Sequence, residues 1–117
     1  MVVGASGGPR IITATLQTIL NHLFVGMDLF DAVSSPRIHD QLLLHGEELC
    51  AIDYEVLFGG EIIETLEKTK NALLRRGRDD LENLNYLGSV QGISIDSDGF
   101  ISGISDIRKG GKPAGIE

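Results

Sequence analysis

From Pro9 to Val25 the apolar residues Ile12, Leu16, Ile19, Leu20 and Leu23 recur at helical spacing, and Gly26 stands where a C-terminal cap belongs. The pattern predicts one helix over that span. Asp28 is placed to cap a second, short helix that runs through Val33 and buries Phe30 and Val33. That helix must stop before Pro36, because proline disfavours helical geometry at Ser35. Ile38 to Leu44 and Leu49 to Ile52 read as short strands separated by His45-Gly46-Glu47-Glu48. A third helix is predicted from Gly60 to Arg76 on the stripe Ile62, Ile63, Leu66, Leu73 and Leu74, with Glu64 and Lys68 spaced as an i,i+4 pair and Gly77 as the stop. Its amphipathic pattern suits packing over a sheet. Arg78 to Asn85 is polar and acidic, as a surface connection would be. Leu87 to Ile95 and Phe100 to Ile104 flank Asp96-Ser97-Asp98-Gly99, a hairpin signal. From Asp106 to Gly115 the hydrophobic period is lost, leaving a glycine-rich tail or loop.

The chain opens on Val2-Val3-Gly4-Ala5-Ser6-Gly7-Gly8-Pro9-Arg10, an apolar pair, a glycine-rich turn and a proline suited to the first helical position. Unpaired N–H groups at such a helix start stabilise phosphate, carboxylate or a developing oxyanion. The turn alone does not choose among them, and glycine turns between a strand and a helix also arise for packing reasons. A dinucleotide site wants Gly-x-Gly-x-x-Gly and an acidic strand-end residue about 20 positions on. Here the glycine spacing differs, and Asp28, about that far on, follows Gly26 as a helix cap. A phosphate loop is excluded because Arg10 stands where Gly-Lys-Ser/Thr would end it. The Asp96 to Gly99 turn lacks the third acidic ligand and distal glutamate of a calcium loop, so turn chemistry accounts for it.

Composition narrows the field further. With 117 residues, no tryptophan and a net charge of −7, the chain is one domain or part of one. It offers no nucleic-acid surface, since the one dense basic cluster, Arg75-Arg76 with Arg78, fits a helix end. No apolar run approaches the roughly 20 residues of a membrane span, and Met1 is followed by no targeting signal. The single cysteine, Cys50, sits between Leu49 and Ala51 as a small apolar residue in a strand-like run and can form no disulfide within the chain.

Three separated signatures stand in order: Val2-Val3-Gly4-Ala5-Ser6-Gly7-Gly8, then Ala32-Val33-Ser34-Ser35-Pro36-Arg37-Ile38-His39-Asp40-Gln41, then Asp106-Ile107-Arg108-Lys109-Gly110-Gly111-Lys112-Pro113-Ala114-Gly115. Together they closely resemble γ-glutamyltranspeptidase, with Ser89-Val90-Gln91 matching a strand near the family's C-terminus. The likeness is weakest from Glu47 to Asn85. It implies an α/β (α+β) fold, the C-terminal portion of the αββα sandwich of N-terminal-nucleophile hydrolases. Residues 1–117 are then expected to be a C-terminal fragment of the small subunit, incomplete as a catalytic unit. Met1 is expected to be an internal methionine or the start of a truncated gene.

The resemblance also implies an activity. Family members cut themselves into a large and a small subunit and expose a threonine nucleophile, which should lie upstream of this chain together with a serine pair and the residues that grip the glutamyl group. The expected parent is a γ-glutamyl transferase and hydrolase acting on glutathione and related donors, with water, amino acids or peptides as acceptors. The alternative is a non-catalytic structural or interaction module derived from that family. The glycine pair, here Gly7 and Gly8, is the expected oxyanion donor, and no metal or organic cofactor is implied. Thr13 and Thr15 fall within a predicted helix and lack the free α-amino group that such a nucleophile uses as its base. Arg37 and His39 are structural polar candidates, free to share one network. Asp106 and Arg108 leave an extended strand on one face and suit a mutual or cross-strand ion pair. Family members act outside the cytoplasm, so an extracellular, cell-surface or periplasmic location is expected.

Overall fold

The computed structural model describes residues 1–40, 51–54, 59–70, 73–76 and 88–116. Among the described residues six strands and three α-helices follow in chain order: β1 (Val2–Ser6), α1 (Ile11–Leu20), α2 (Leu29–Ser34), β2 (Ile38–Asp40), β3 (Ala51–Tyr54), α3 (Gly60–Lys70), β4 (Leu73–Arg76), β5 (Ser89–Ile95) and β6 (Ile101–Ser105). A tight turn at Gly8–Arg10 leads into α1, and a wider helical turn at Asn21–Val25 continues it. The helical run therefore spans Gly8 to Val25 and closes at Gly26, as the apolar period predicts.

One sheet has the order β1-β5-β6, antiparallel throughout, with Val2 opposite Ile93 and Ser6 opposite Ser89. The β5–β6 hairpin turns where Asp96 accepts hydrogen bonds from the amides of Asp98 and Phe100, at 2.9 and 2.8 Å. Strand alternation turns Val90 and Gly92 inward, while Ile93 and Ile95 face out. Helices α1 and α2 cover the inner face, where Ala14, Leu29, Val33 and Val90 form the core with Val3, Ala5 and Ile104 against it. On the outer face Val2, Ile93, Ile95 and Ile101 are exposed. Residues of the tail cross that face and line an open groove of about 730 Å³ with Ile93 and Ile101.

Three expectations change. The residues of α1 that meet the sheet are Ala14 and Thr18, whereas Ile12 is 74% exposed and Leu16, Leu20 and Leu23 are exposed too. Small side chains on the contact side let the helix approach the backbone at Gly88, where an added Cβ would lie 3.2 Å from the Ala14 Cβ. The apolar stripe faces away. In α2, Val33 is buried, but Phe30 is 52% exposed and Leu29 and Ala32 take the inner positions. The third helix ends at Lys70, and Leu73–Arg76 is a strand parallel to β3, with Ala51 opposite Leu73. A short apolar pair such as Leu73-Leu74 fits a helical stripe or a strand equally well, and ladder pairing with β3 decides it.

The second sheet has the order β2-β3-β4. Ile38 begins a strand as expected, antiparallel to β3 with His39 opposite Asp53. The rest of the strand expected over 38–44, and both Cys50 and the connection expected over 78–85, lie outside the described residues. Glu64 and Lys68 do meet, at 3.4 Å, but both are exposed, so the pair contributes little.

Candidate functional site

The strand β1 delivers its chain to a turn in which Gly7 has φ 141° and Gly8 φ 60°. Only glycine enters both conformations without strain. The first intrahelical bond runs from the Arg10 amide to the Gly7 carbonyl, at 3.3 Å, so the amides of Gly7 and Gly8 precede it and have no acceptor in the helix. Both glycines are exposed. Backbone amides at the start of a helix are suited to stabilising negative charge.

The two glycines differ in what constrains them. A Cβ at Gly7 would lie 2.7 Å from the Gly88 Cα, whereas one at Gly8 would meet nothing within 4 Å. Gly88 in turn has no room, because a Cβ there would stand 3.2 Å from both the Ser6 carbonyl oxygen and the Ala14 Cβ. Three backbone segments thus converge behind the turn. The motif reading did not single out Gly88, since a lone glycine before a strand has no local signal of a crossing 81 residues back in the chain, at Gly7.

Gly88 is held from below by charge. Arg37, 2% exposed, donates from Nη1 to the Gly88 carbonyl at 2.8 Å, from Nη2 to the Val33 carbonyl at 2.6 Å, and pairs with Asp106 Oδ2 at 2.9 Å. Asp106, 1% exposed, also accepts from the Val90 amide at 2.7 Å, and its Oδ1 takes the Arg108 amide and Nη1 at 3.0 and 2.9 Å. Arg108 reaches on to the carbonyls of Val33, Ser34 and Ser35. The two guanidinium groups therefore satisfy the orphan carbonyls at the end of α2 and counter its negative pole. Asp106 and Arg108 form the expected mutual pair, though across a turn over 107–110 closed by the Lys109 amide on the Asp106 carbonyl rather than along an extended strand, and Arg37 joins it.

His39 goes elsewhere. Its Nδ1 lies 2.7 Å from the Thr13 hydroxyl, which donates to the Arg10 carbonyl at 3.2 Å. Gln17 clamps the same junction, with Nε2 donating to the Thr13 and Ile38 carbonyls and Oε1 accepting from the Ile38 amide. These bonds tie α1 to β2 below the turn. The Thr13 hydroxyl is thus spent on helix support.

Burial works to raise the Asp106 pKa, but hydrogen bonds from the Arg108 and Val90 amides, with the charges of Arg37 and Arg108, outweigh it and hold the carboxyl below its ordinary value. An unfolded aspartate titrates near pH 3.9, so the stabilisation is complete above about that pH. Below it the unfolded state binds more protons, and the contribution is lost as pH falls through the lower folded value. Denaturant titrations should show the stability gap between the native protein and Asp106→Asn closing below about pH 4. A gap that stays constant down to about pH 2 would contradict the network.

Near the turn lies one further cluster that motif reading did not pick out. Lys109 Nζ donates to Ser6 Oγ at 2.9 Å, and Ser6 Oγ lies 2.9 Å from Ser89 Oγ.

The family model described as Gamma-glutamyltranspeptidase matches residues 1–116. The chain is 30% identical over 115 residues to the human "Glutathione hydrolase 5 proenzyme", a match that covers 98% of this chain and 17% of that protein. Among solved structures, gamma-glutamyltranspeptidase from Pseudomonas nitroreducens superposes with a TM-score of 0.78 at 24% identity, over 99% of this chain and 55% of that one. A variant of the Helicobacter pylori gamma-glutamyltranspeptidase matches with a TM-score of 0.71 at 29% identity, over 92% of this chain and 53% of its own. The chain thus spans about a sixth of the human relative's length and about half of each structural neighbour.

Proposed function

The chain belongs to the gamma-glutamyltranspeptidase family, and from that premise we propose that it forms part of a γ-glutamyl transferase and hydrolase, for which it supplies the oxyanion turn. The observation that carries the reading is the Gly7-Gly8 turn at the end of β1, two exposed glycines whose amides precede the first intrahelical bond. In this reading a threonine hydroxyl oxygen from another part of the protein bonds to the γ-carbonyl carbon of glutathione or a related donor. Its proton passes to the threonine's own α-amino group. The carbonyl oxygen becomes an oxyanion, which the amides of Gly7 and Gly8 stabilise at about 3 Å. Collapse breaks the C–N bond, and the leaving amine takes the proton. Water, an amino acid or a peptide then attacks the γ-glutamyl ester and returns the proton to the threonine oxygen.

The remaining partners follow the same reading: the rest of the small subunit, a large subunit, and a location outside the cytoplasm. The test is release of chromophore from a γ-glutamyl anilide. The full-length protein is expected to turn over, and the isolated 117-residue chain is not. Turnover by the isolated chain would overturn the division of labour, and none by a matured full-length protein would overturn the activity. The second outcome would favour a non-catalytic interaction module, for which the exposed outer face at Val2, Ile93, Ile95 and Ile101 offers a surface.

A further inference from the structure

Met27 stands at the joint between α1 and α2, and its side chain has no part in the glycine turn. Its backbone is pinned, since the amide donates to the Asn21 carbonyl at 3.0 Å and the carbonyl accepts from His22 Nδ1 at 2.8 Å. The side chain reaches from there to the end of α2, where Sδ lies 3.6 Å from Ser35 Oγ. A thioether is a weak acceptor, so the Ser35 proton goes to the Asp31 carbonyl, at 2.7 Å. The sulfur keeps its lone pairs, with a hydroxyl beside it.

Methionine commonly fills gaps between apolar side chains. Met27 sits elsewhere, because it is only half-buried and borders an open cavity of about 280 Å³. Pro36 and Ile62 give that cavity apolar wall, but Gln17, Asn21 and Ser35 line it too. A sulfoxide is polar, and a wet, partly polar cavity accepts it where an apolar core would not. Ser35 is also placed to bind that oxygen. The Asp31 carbonyl already takes the Ser35 amide at 2.9 Å, so the hydroxyl can turn to a stronger acceptor without leaving a helix-end carbonyl unpaired.

We propose that Met27 is a site of reversible oxidation by hydroperoxides, with Ser35 as its proton relay. A lone pair of Sδ forms a bond to the nearer oxygen of hydrogen peroxide while the O–O bond breaks. Ser35 Oγ gives its proton to the leaving oxygen and takes one from the hydroxyl now on sulfur, so the products are methionine sulfoxide and water. Sulfur loses two electrons and the peroxide gains them. A sulfoxide reductase reverses the step with two thiols, which become a disulfide as the oxygen leaves as water. The mark lands on the joint that carries α1, and through α1 the glycine turn, against α2.

The experiment treats the full-length protein with hydrogen peroxide and follows the added oxygen on the Met27 peptide by mass spectrometry, with N-acetylmethionine amide in the same solution as reference. Met27 is expected to react within about threefold of the reference, as a sulfur that peroxide reaches does. Ser35→Ala, compared well below the melting temperature of each protein, should slow the reaction about tenfold, a modest effect for a positioned proton donor because water replaces it in part. Ser35→Thr keeps the hydroxyl and should restore the rate. Methionine sulfoxide reductase with a thiol should remove the oxygen from the folded protein. A Met27 rate more than about tenfold below the reference would show that the sulfur is shielded, and would overturn the proposal. So would a folded Ser35→Ala protein that reacts as fast as the native one, or a sulfoxide that the reductase removes only after unfolding.

Discussion

Asp106→Ala is expected to destabilise the folded protein by about 3–5 kcal/mol, because it leaves Arg37 and Arg108 with positive charge in a site that excludes water. That is a large share of the roughly 5–15 kcal/mol that holds a typical domain together. The loss exceeds that of one salt bridge, since the carboxylate also satisfies the Val90 and Arg108 amides. The denaturation midpoint of the full-length protein is the measurement, and a loss under about 1 kcal/mol would show that the network is not a structural unit. Replacing Arg37 as well, in Arg37→Met/Asp106→Leu, should recover only part of the stability. Removing both charges lifts the desolvation cost, yet the carbonyls of Gly88 and Val33 lose their donor. Because the Gly88 carbonyl is the link between this network and the glycine turn, the single variant should also lose turnover beyond its unfolded fraction.

The second large effect is expected at Gly8. In the full-length protein Gly8→Val should lower kcat by about 10²–10³-fold, with a smaller change in KM. Nothing stands within 4 Å of an added Cβ there, so the cause is not a clash. A β-branched residue resists φ near +60°, and relaxing that angle swings the amide away from the oxyanion position. Oxyanion donors act on charge that develops in the transition state, whereas binding of the glutamyl group belongs to other residues. Gly7→Ala should behave differently. Its Cβ would strike the Gly88 backbone at 2.7 Å, so folding and maturation suffer together with activity. Self-cleavage and subunit assembly are therefore checked before kinetics. A properly matured Gly8→Val protein with full kcat would remove this turn from the oxyanion site.

Signals that act within a few residues were legible in the sequence. The run from Gly8 to Val25, its stop at Gly26, the Asp28 cap that accepts from the Asp31 amide at 2.8 Å, and the Asp96 hairpin all rest on contacts between near neighbours. Their side-chain chemistry favours one backbone conformation wherever the segment lies. The order of three motifs likewise carried the family. What distance decides was not legible. The bonds from Ser6 to Ser89 and to Lys109 span 83 and 103 positions, and exist only because strand register and the path of the tail bring those residues together. Helical period located an apolar stripe on α1, but the side that meets the sheet carries Ala14 and Thr18, because close approach to Gly88 favours small side chains over large apolar ones. Leu73-Leu74 suited a helix or a strand by pattern, and pairing with β3 made it a strand. The fold pairs Arg37 with Asp106, a partner that its place in the sequence did not reveal. Burial of a guanidinium is tolerable only beside a carboxylate, and tertiary structure alone determined which carboxylate was there.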